Sequence, residues 1–195
     1  MSVQRSRSDD AWDPSQCERT DHCPPRCPRF LDDSGRVVLI RNAGPNDHDA
    51  LIEMYESFDQ SDRAQGLPPS SRHRLESWLE TILAEGTNGV ATVDDRVVGH
   101  CVYTPATDPE PELAVFVQPA DHGRGIGTEL CKRIVATGVA TDKDAIVLEV
   151  ERRNRVAVHI YRQLGFETLV DGRELHMRLP LEDRSVAAFQ RRPAE

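Results

Sequence analysis

No apolar stretch in this chain approaches the roughly 20 residues that a helix needs to cross a bilayer. The first ten residues, MSVQRSRSDD, hold no apolar leader either. The expectation is a cytoplasmic protein with neither secretory signal nor membrane partner. Lysine is nearly missing: Lys132 and Lys143 are the only two, against a formal net charge of −9. So acidic a surface repels a phosphate backbone, which argues against nucleic acid and suits a cationic substrate. The five cysteines are an odd number without a disulfide framework, as expected in a reducing compartment. No Gly-Lys pair occurs, so the P-loop spacing G-x-x-x-x-G-K-[ST] cannot be drawn anywhere. There is no internal repeat.

What is present suits one domain with a tail. The 195 residues are enough to bury a core. Residues 1–34 are polar and carry Pro14, Pro24, Pro25 and Pro28, which predicts an irregular, flexible arm. Cys17, His22, Cys23 and Cys27 place four soft ligands in that arm. Their spacing lacks the paired C-x₂-C pattern of zinc sites, and no metal is expected. The domain itself is expected over 35–182, followed by a tail at 183–195.

Periodicity predicts a first strand over 36–41 and a helix with Leu51, Met54, Tyr55 and Phe58 on one face. A turn-rich loop follows, then a helix carrying Leu75, Leu79 and Ile82. A hairpin turning at Asp94-Asp95 comes next, with His100 in its second strand. Strands over 112–117 and 145–150, a helix after each, and a last hairpin around Asp171-Gly172 complete the pattern. The fold class expected is α/β (α+β): a mixed, mostly antiparallel sheet with helices on both faces.

The stretch over 112–133, ELAVFVQPADHGRGIGTELCKR, carries the chemistry. It reads as an apolar strand, a turn with Gly123, Gly125 and Gly127 at alternate positions, and a helix with Ile126, Leu130 and Ile134 on one face. A helix opening at such a turn points unpaired N–H groups and its positive dipole end outward, which is an anion site fit for a pyrophosphate. The dinucleotide spacing G-x-G-x-x-G does not fit from either Gly123 or Gly125. Without a ligand, the same residues would be only a strand-to-helix turn.

The run His122-Gly-Arg-Gly125-Ile-Gly127 after a strand and before a helix resembles the acyl-CoA loop of the GCN5-related N-acetyltransferase (GNAT) superfamily, [Gln/Arg]-x-x-Gly-x-[Gly/Ala]. His122 departs from that pattern; it can donate a hydrogen bond, but its charge depends on pH. A second run, Asn154-Arg-Val-Ala157-Val-His-Ile-Tyr161-Arg-Gln-Leu-Gly165-Phe166, resembles the family's Asn-x-x-Ala-x-x-x-Tyr-x-x-x-Gly-Phe helix. The resemblance spans about 36–180 and is closest to stand-alone microbial protein-acetyltransferase domains.

What the resemblance implies is an acetyl-CoA-dependent N-acetyltransferase, a monomer or homodimer acting on a small-molecule or protein amine. Val115, Phe116 and Val117 would lie along the pantetheine arm, with the main chain of Val115 and Val117 bonding it. His122, Gly123, Arg124, Gly125, Ile126, Gly127 and Thr128 would hold the pyrophosphate, and Asn154 and Ala157 would face the cofactor. Tyr161 becomes the general acid, although its helical spacing alone reads as a core tyrosine. Glu112, which opens the central strand, becomes the base, with Glu149 and Glu151 as runners-up. The alternative function is an acyl-CoA-binding module of this fold without turnover.

Overall fold

The computed structural model describes residues 26–59 and 67–182. Cys17, His22, Cys23 and the tail expected at 183–195 lie outside the described residues. Eight strands and four helices follow in the order β1 (Arg29–Leu31), β2 (Val37–Asn42), α1 (His48–Glu56), α2 (Arg72–Glu85), β3 (Thr87–Val93), β4 (Arg96–Thr104), β5 (Glu112–Val117), α3 (Ile126–Ala140), β6 (Ala145–Glu151), α4 (Arg155–Gln163), β7 (Glu167–Asp171) and β8 (Glu174–Pro180). They form one sheet ordered β1-β2-β3-β4-β5-β6-β8-β7. All neighbours run antiparallel except β5 and β6. The mixed sheet with helices on both faces is the architecture expected.

Alternation along β5 shows how the sheet divides the core. Leu113, Val115 and Val117 face one cluster with Ile126, Leu130 and Ile134 of α3, Tyr161 of α4, and Leu148 and Met177. Ala114 and Phe116 face the other, with Leu51 and Tyr55 of α1 and Leu75 and Leu79 of α2. Successive side chains of a strand point to opposite faces, so one strand serves both layers.

Local chemistry sets the boundaries. Asp94 and Asp95 both take positive φ, +49° and +64°, the hairpin geometry that short polar residues tolerate. Asn154 caps α4 by accepting from the Ala157 N–H at 3.2 Å. On the α1 side, buried His100 ties helix to sheet. Its Nε2 is 3.0 Å from Asn88 Oδ1, while the Asn88 amide donates to the Ile82 and Gly86 carbonyls. Asn88 Oδ1 therefore accepts, Nε2 carries the proton, and Nδ1 accepts from the Tyr55 hydroxyl at 2.6 Å.

One element differs from the expectation. Residues up to 34 read as irregular, yet Arg29–Leu31 forms β1 against β2, with Phe30 opposite Val38. Three residues are too few to show alternation, and the neighbouring prolines mask them. The segment is also tied down by charge: Arg26 pairs with Glu129 of α3 at 2.5 Å, and Arg133 donates to the Arg26 carbonyl at 3.0 Å.

Candidate active site

β5 borders an opening in the sheet. Gln118 N–H donates to the Val98 carbonyl of β4 at 2.8 Å, and Val147 N–H of β6 donates to the Pro111 carbonyl at 3.1 Å. Main-chain groups alternate in direction along a strand, so even-numbered residues of β5 bond β4 and odd-numbered ones face β6. The β5–β6 register contains one pair, Glu112 with Val147. Past it, Val115 and Val117 turn their peptide groups into a cleft without a partner strand, an edge to which an extended amide chain can add. One of these groups is engaged: the Val117 carbonyl accepts from His122 Nε2 at 2.8 Å.

The turn after β5 is built for close approach. Gly123 and Gly125 have φ of +70° and +81°, the left-handed region that only glycine enters freely. A Cβ on Gly123 would meet nothing within 4 Å, and one on Gly125 only Asp33 Oδ1 at 3.9 Å. The space before the loop is thus open to a ligand. Gly125 is also the N-cap of α3 and supplies no side-chain cap, leaving the first amides of the helix pointing outward.

Asp121 anchors this loop. It is 2 % exposed and meets Arg36 at 2.7 Å, Arg96 at 3.5 Å and Arg124 at 3.8 Å. Arg124 also donates to Ser34 Oγ at 2.8 Å. These contacts hold Arg124 beside the glycine loop with its side chain still partly exposed.

A groove of about 550 Å³ joins the loop to α4. Its lining includes the expected Val115, Val117, His122, Gly123, Gly125, Ile126, Gly127, Thr128, Asn154, Ala157 and Tyr161. Phe116 is not among them; its side chain points to the opposite face and meets Tyr55 edge-on, the ring centroids 5.4 Å apart. Arg124 and Glu112 also lie outside the lining. Sequence reasoning missed Asp121, Cys131, Val156 and Ile160, which line it too. Cys131 lies one turn beyond Gly127 on α3, a spacing that could have found it; Ile160 read as plain core. A larger hollow of about 660 Å³ between α1 and α2, lined by residues such as Pro45, His48, Glu80 and Leu83, has no glycine loop and no anion cradle.

Tyr161 is 9 % exposed, and among the described residues its hydroxyl has no hydrogen-bond partner. Burial, with a smaller contribution from Cys131, pushes that hydroxyl well above the usual phenol range, so it stays protonated. Glu112 is at the last paired position of β5, on the face opposite the groove with Ala114 and Phe116. It is exposed by area, yet its carboxyl is raised above the usual range, first by desolvation and then by Glu149, with His176 opposing. The two expected catalytic groups thus flank the cleft from opposite faces of the sheet.

Among the described residues no helix is long and apolar enough to cross a membrane. No group of three or more His, Cys, Asp or Glu there could hold a metal ion.

Comparison with known proteins places this geometry in a family. The family model described as Acetyltransferase (GNAT) family matches residues 50–166. L-methionine sulfoximine/L-methionine sulfone acetyltransferase of Pseudomonas aeruginosa is 23 % identical over 136 residues, covering 66 % of this chain and 79 % of that protein. The GNAT domain of S. lividans PAT superposes with a TM-score of 0.70 at 18 % identity, over 84 % of this chain and 99 % of that one. The Salmonella typhimurium protein yncA, solved with its cofactor acetyl-CoA, superposes with a TM-score of 0.61 at 21 % identity, over 75 % of this chain and 95 % of that one. A chain with this loop, this split sheet and this match over more than half its length belongs to the GNAT family of acetyltransferases.

Proposed function

We propose that this protein transfers the acetyl group of acetyl-CoA to a primary amine by direct attack, with Glu112 as base and Tyr161 as acid. The observation that carries the reading is the groove running from the open edge of β5, past the glycine loop, to the Tyr161 face of α4. The residues fit the co-substrate. The peptide groups of Val115 and Val117 would bond its pantetheine amides, and the main chain of 123–128 would hold its diphosphate. Asn154 and Ala157 would border it on the α4 side.

When bound, the co-substrate supplies an activated acetyl thioester. Glu112 takes a proton from the incoming ammonium, which at a free pKa near ~10.4 is mostly charged at neutral pH. Its carboxyl, raised above the usual range by desolvation, is a better base than an ordinary glutamate. Tyr161 holds its proton on the phenolic oxygen, available to a leaving thiolate. The acceptor comes from the Glu112 face, across the sheet from the groove. The acidic surface favours a cationic amine, either a small molecule or a protein lysine or N-terminus. The cytoplasm, where acetyl-CoA is made, is the compartment we assign.

A non-catalytic acyl-CoA-binding module is the second reading, favoured by the His122 ring that already holds the Val117 carbonyl. Release of free coenzyme A from acetyl-CoA in the presence of L-methionine sulfone, spermidine and a lysine peptide separates the two. Amine-dependent release supports the transferase; saturable binding without release supports the module.

A further inference from the structure

On a chain of formal net charge −9, one hollow reverses the sign. It holds about 590 Å³ and is lined by Arg152 and Arg153 after β6, Arg155 at the start of α4, Arg173 of the β7–β8 turn, and Glu151. Two of the four guanidinium groups are matched inside the cluster: Arg152 pairs with Asp171 and Arg153 with Glu151. Arg152 Nε also donates to the Gly172 carbonyl at 2.9 Å. Its main-chain N–H donates to the Arg173 carbonyl at 3.0 Å. These bonds fasten the β7–β8 turn to the end of β6. The side chains of Arg155 and Arg173 have no hydrogen-bond or ion-pair partner among the described residues. Two positive charges thus stand unmatched around one opening.

The hollow begins on the acceptor side of the sheet. Val147 is level with Glu112, and Ile146, Leu148 and Val150 point into the core behind the groove. Strand alternation therefore puts Val147 and Glu151 on the Glu112 face. Glu151 is four residues past Val147, which is ~13 Å at ~3.3 Å per residue.

We infer that this hollow binds acidic side chains of a protein acceptor whose amine is presented at Glu112. The inference rests on the reading of the Glu112 face as the acceptor side. Carboxylates fit the site. The planar guanidinium fork matches a carboxylate, and the cluster already seats two, those of Glu151 and Asp171. The distance selects a peptide. An extended chain covers ~13 Å in about four residues, so the acidic residues stand about three to five positions from the acceptor lysine. The carboxylate of a single free amino acid is too close to its own amine to span this. The acidic protein as a whole repels such a peptide from afar. At physiological salt that repulsion is screened beyond ~8 Å, and at contact range the arginines decide.

The test measures binding, not turnover. Two fluorescein-labelled peptides, blocked at the N-terminus and carrying one lysine each, are titrated into the full-length protein with coenzyme A present. One has Asp and Glu three to five positions to either side of the lysine; the other has Asn and Gln there. Fluorescence anisotropy should show the acidic peptide binding about tenfold tighter, and the preference should shrink as salt rises. The double variant Arg155→Gln, Arg173→Gln should bind both peptides alike, keep wild-type affinity for coenzyme A by calorimetry, and remain folded by thermal melt. Equal binding of the two peptides by wild type, or an acidic preference that survives in the double variant, overturns the inference. So does a loss of coenzyme A affinity in the double variant, which would assign the arginines to a coenzyme phosphate. Failure of the transferase reading shows separately, as acidic-peptide binding with no lysine-dependent release of coenzyme A from acetyl-CoA.

Discussion

His122 Nε2 and the Val117 carbonyl oxygen are 2.8 Å apart, closing the glycine loop back onto the open edge of β5. The ring nitrogen donates, so the bond survives in both the neutral Nε2–H tautomer and the imidazolium. It pre-sets the loop that precedes α3. His122→Ala should weaken coenzyme A binding about fivefold, the worth of roughly 1 kcal/mol for one such bond. His122→Gln, which can still donate, should stay near wild type. Calorimetric titration with coenzyme A measures both.

Tyr161 offers a cleaner test of chemistry. Removing only its hydroxyl in Tyr161→Phe leaves the packing against Phe166, with ring centroids 5.6 Å apart. Turnover should fall by about 10²-fold, a typical loss for a proton donor, while affinity for acetyl-CoA stays unchanged. Wild-type turnover in this variant would remove Tyr161 from the mechanism.

The pH dependence follows from Glu112. Its carboxyl is raised above the usual range by desolvation and by Glu149, and only the ionised form accepts a proton. The rate should therefore fall as pH drops through a midpoint above that of an ordinary glutamate. Glu112→Gln should lose about 10²-fold or more of kcat/KM and with it this acidic limb. Steady-state rates between pH 5 and 9 decide it.

The buried His100 predicts how stability responds to acid. Burial lowers its folded-state pKa from 6.5 to about 3. The unfolded chain therefore binds more protons between these values, and stability is complete above about 6.5 and drains away as pH falls toward 3. Replacing Tyr55 by Phe leaves Nδ1 of His100 without its 2.6 Å donor and should cost about 1–3 kcal/mol. Denaturant unfolding at pH 7.5 and pH 5 measures both effects, and Tyr55→Phe should leave coenzyme A affinity intact.

Much of this architecture was legible because its signals are local. The Gly123-Gly125-Gly127 spacing, the Asn154 cap and the Ile126-Leu130-Ile134 stripe each depend on a few adjacent residues. What escaped was long-range. The contacts of Arg124 with Asp121 and with Ser34, which is 90 residues away, could not be read from the loop's own spacing. Phe116 stands between two groove residues in sequence, but strand alternation turns its ring to the other core. β1 exists because β2 offers it an edge, which no three-residue pattern can announce. The pairing of Glu149 with His176 across β6 and β8 depends on strand register, set by the whole sheet rather than by either residue.

The account depends on a ligand held by main-chain groups, so the decisive measurement is calorimetry of acetyl-CoA with wild type and Gly125→Val. Valine at φ +81° is strained and puts a branched side chain where the diphosphate would approach. We predict saturable one-to-one binding by wild type and its loss in the variant, with the variant still folded by thermal melt. Wild type that takes up no heat with acetyl-CoA, or a Gly125→Val protein that binds it equally well, would contradict the account.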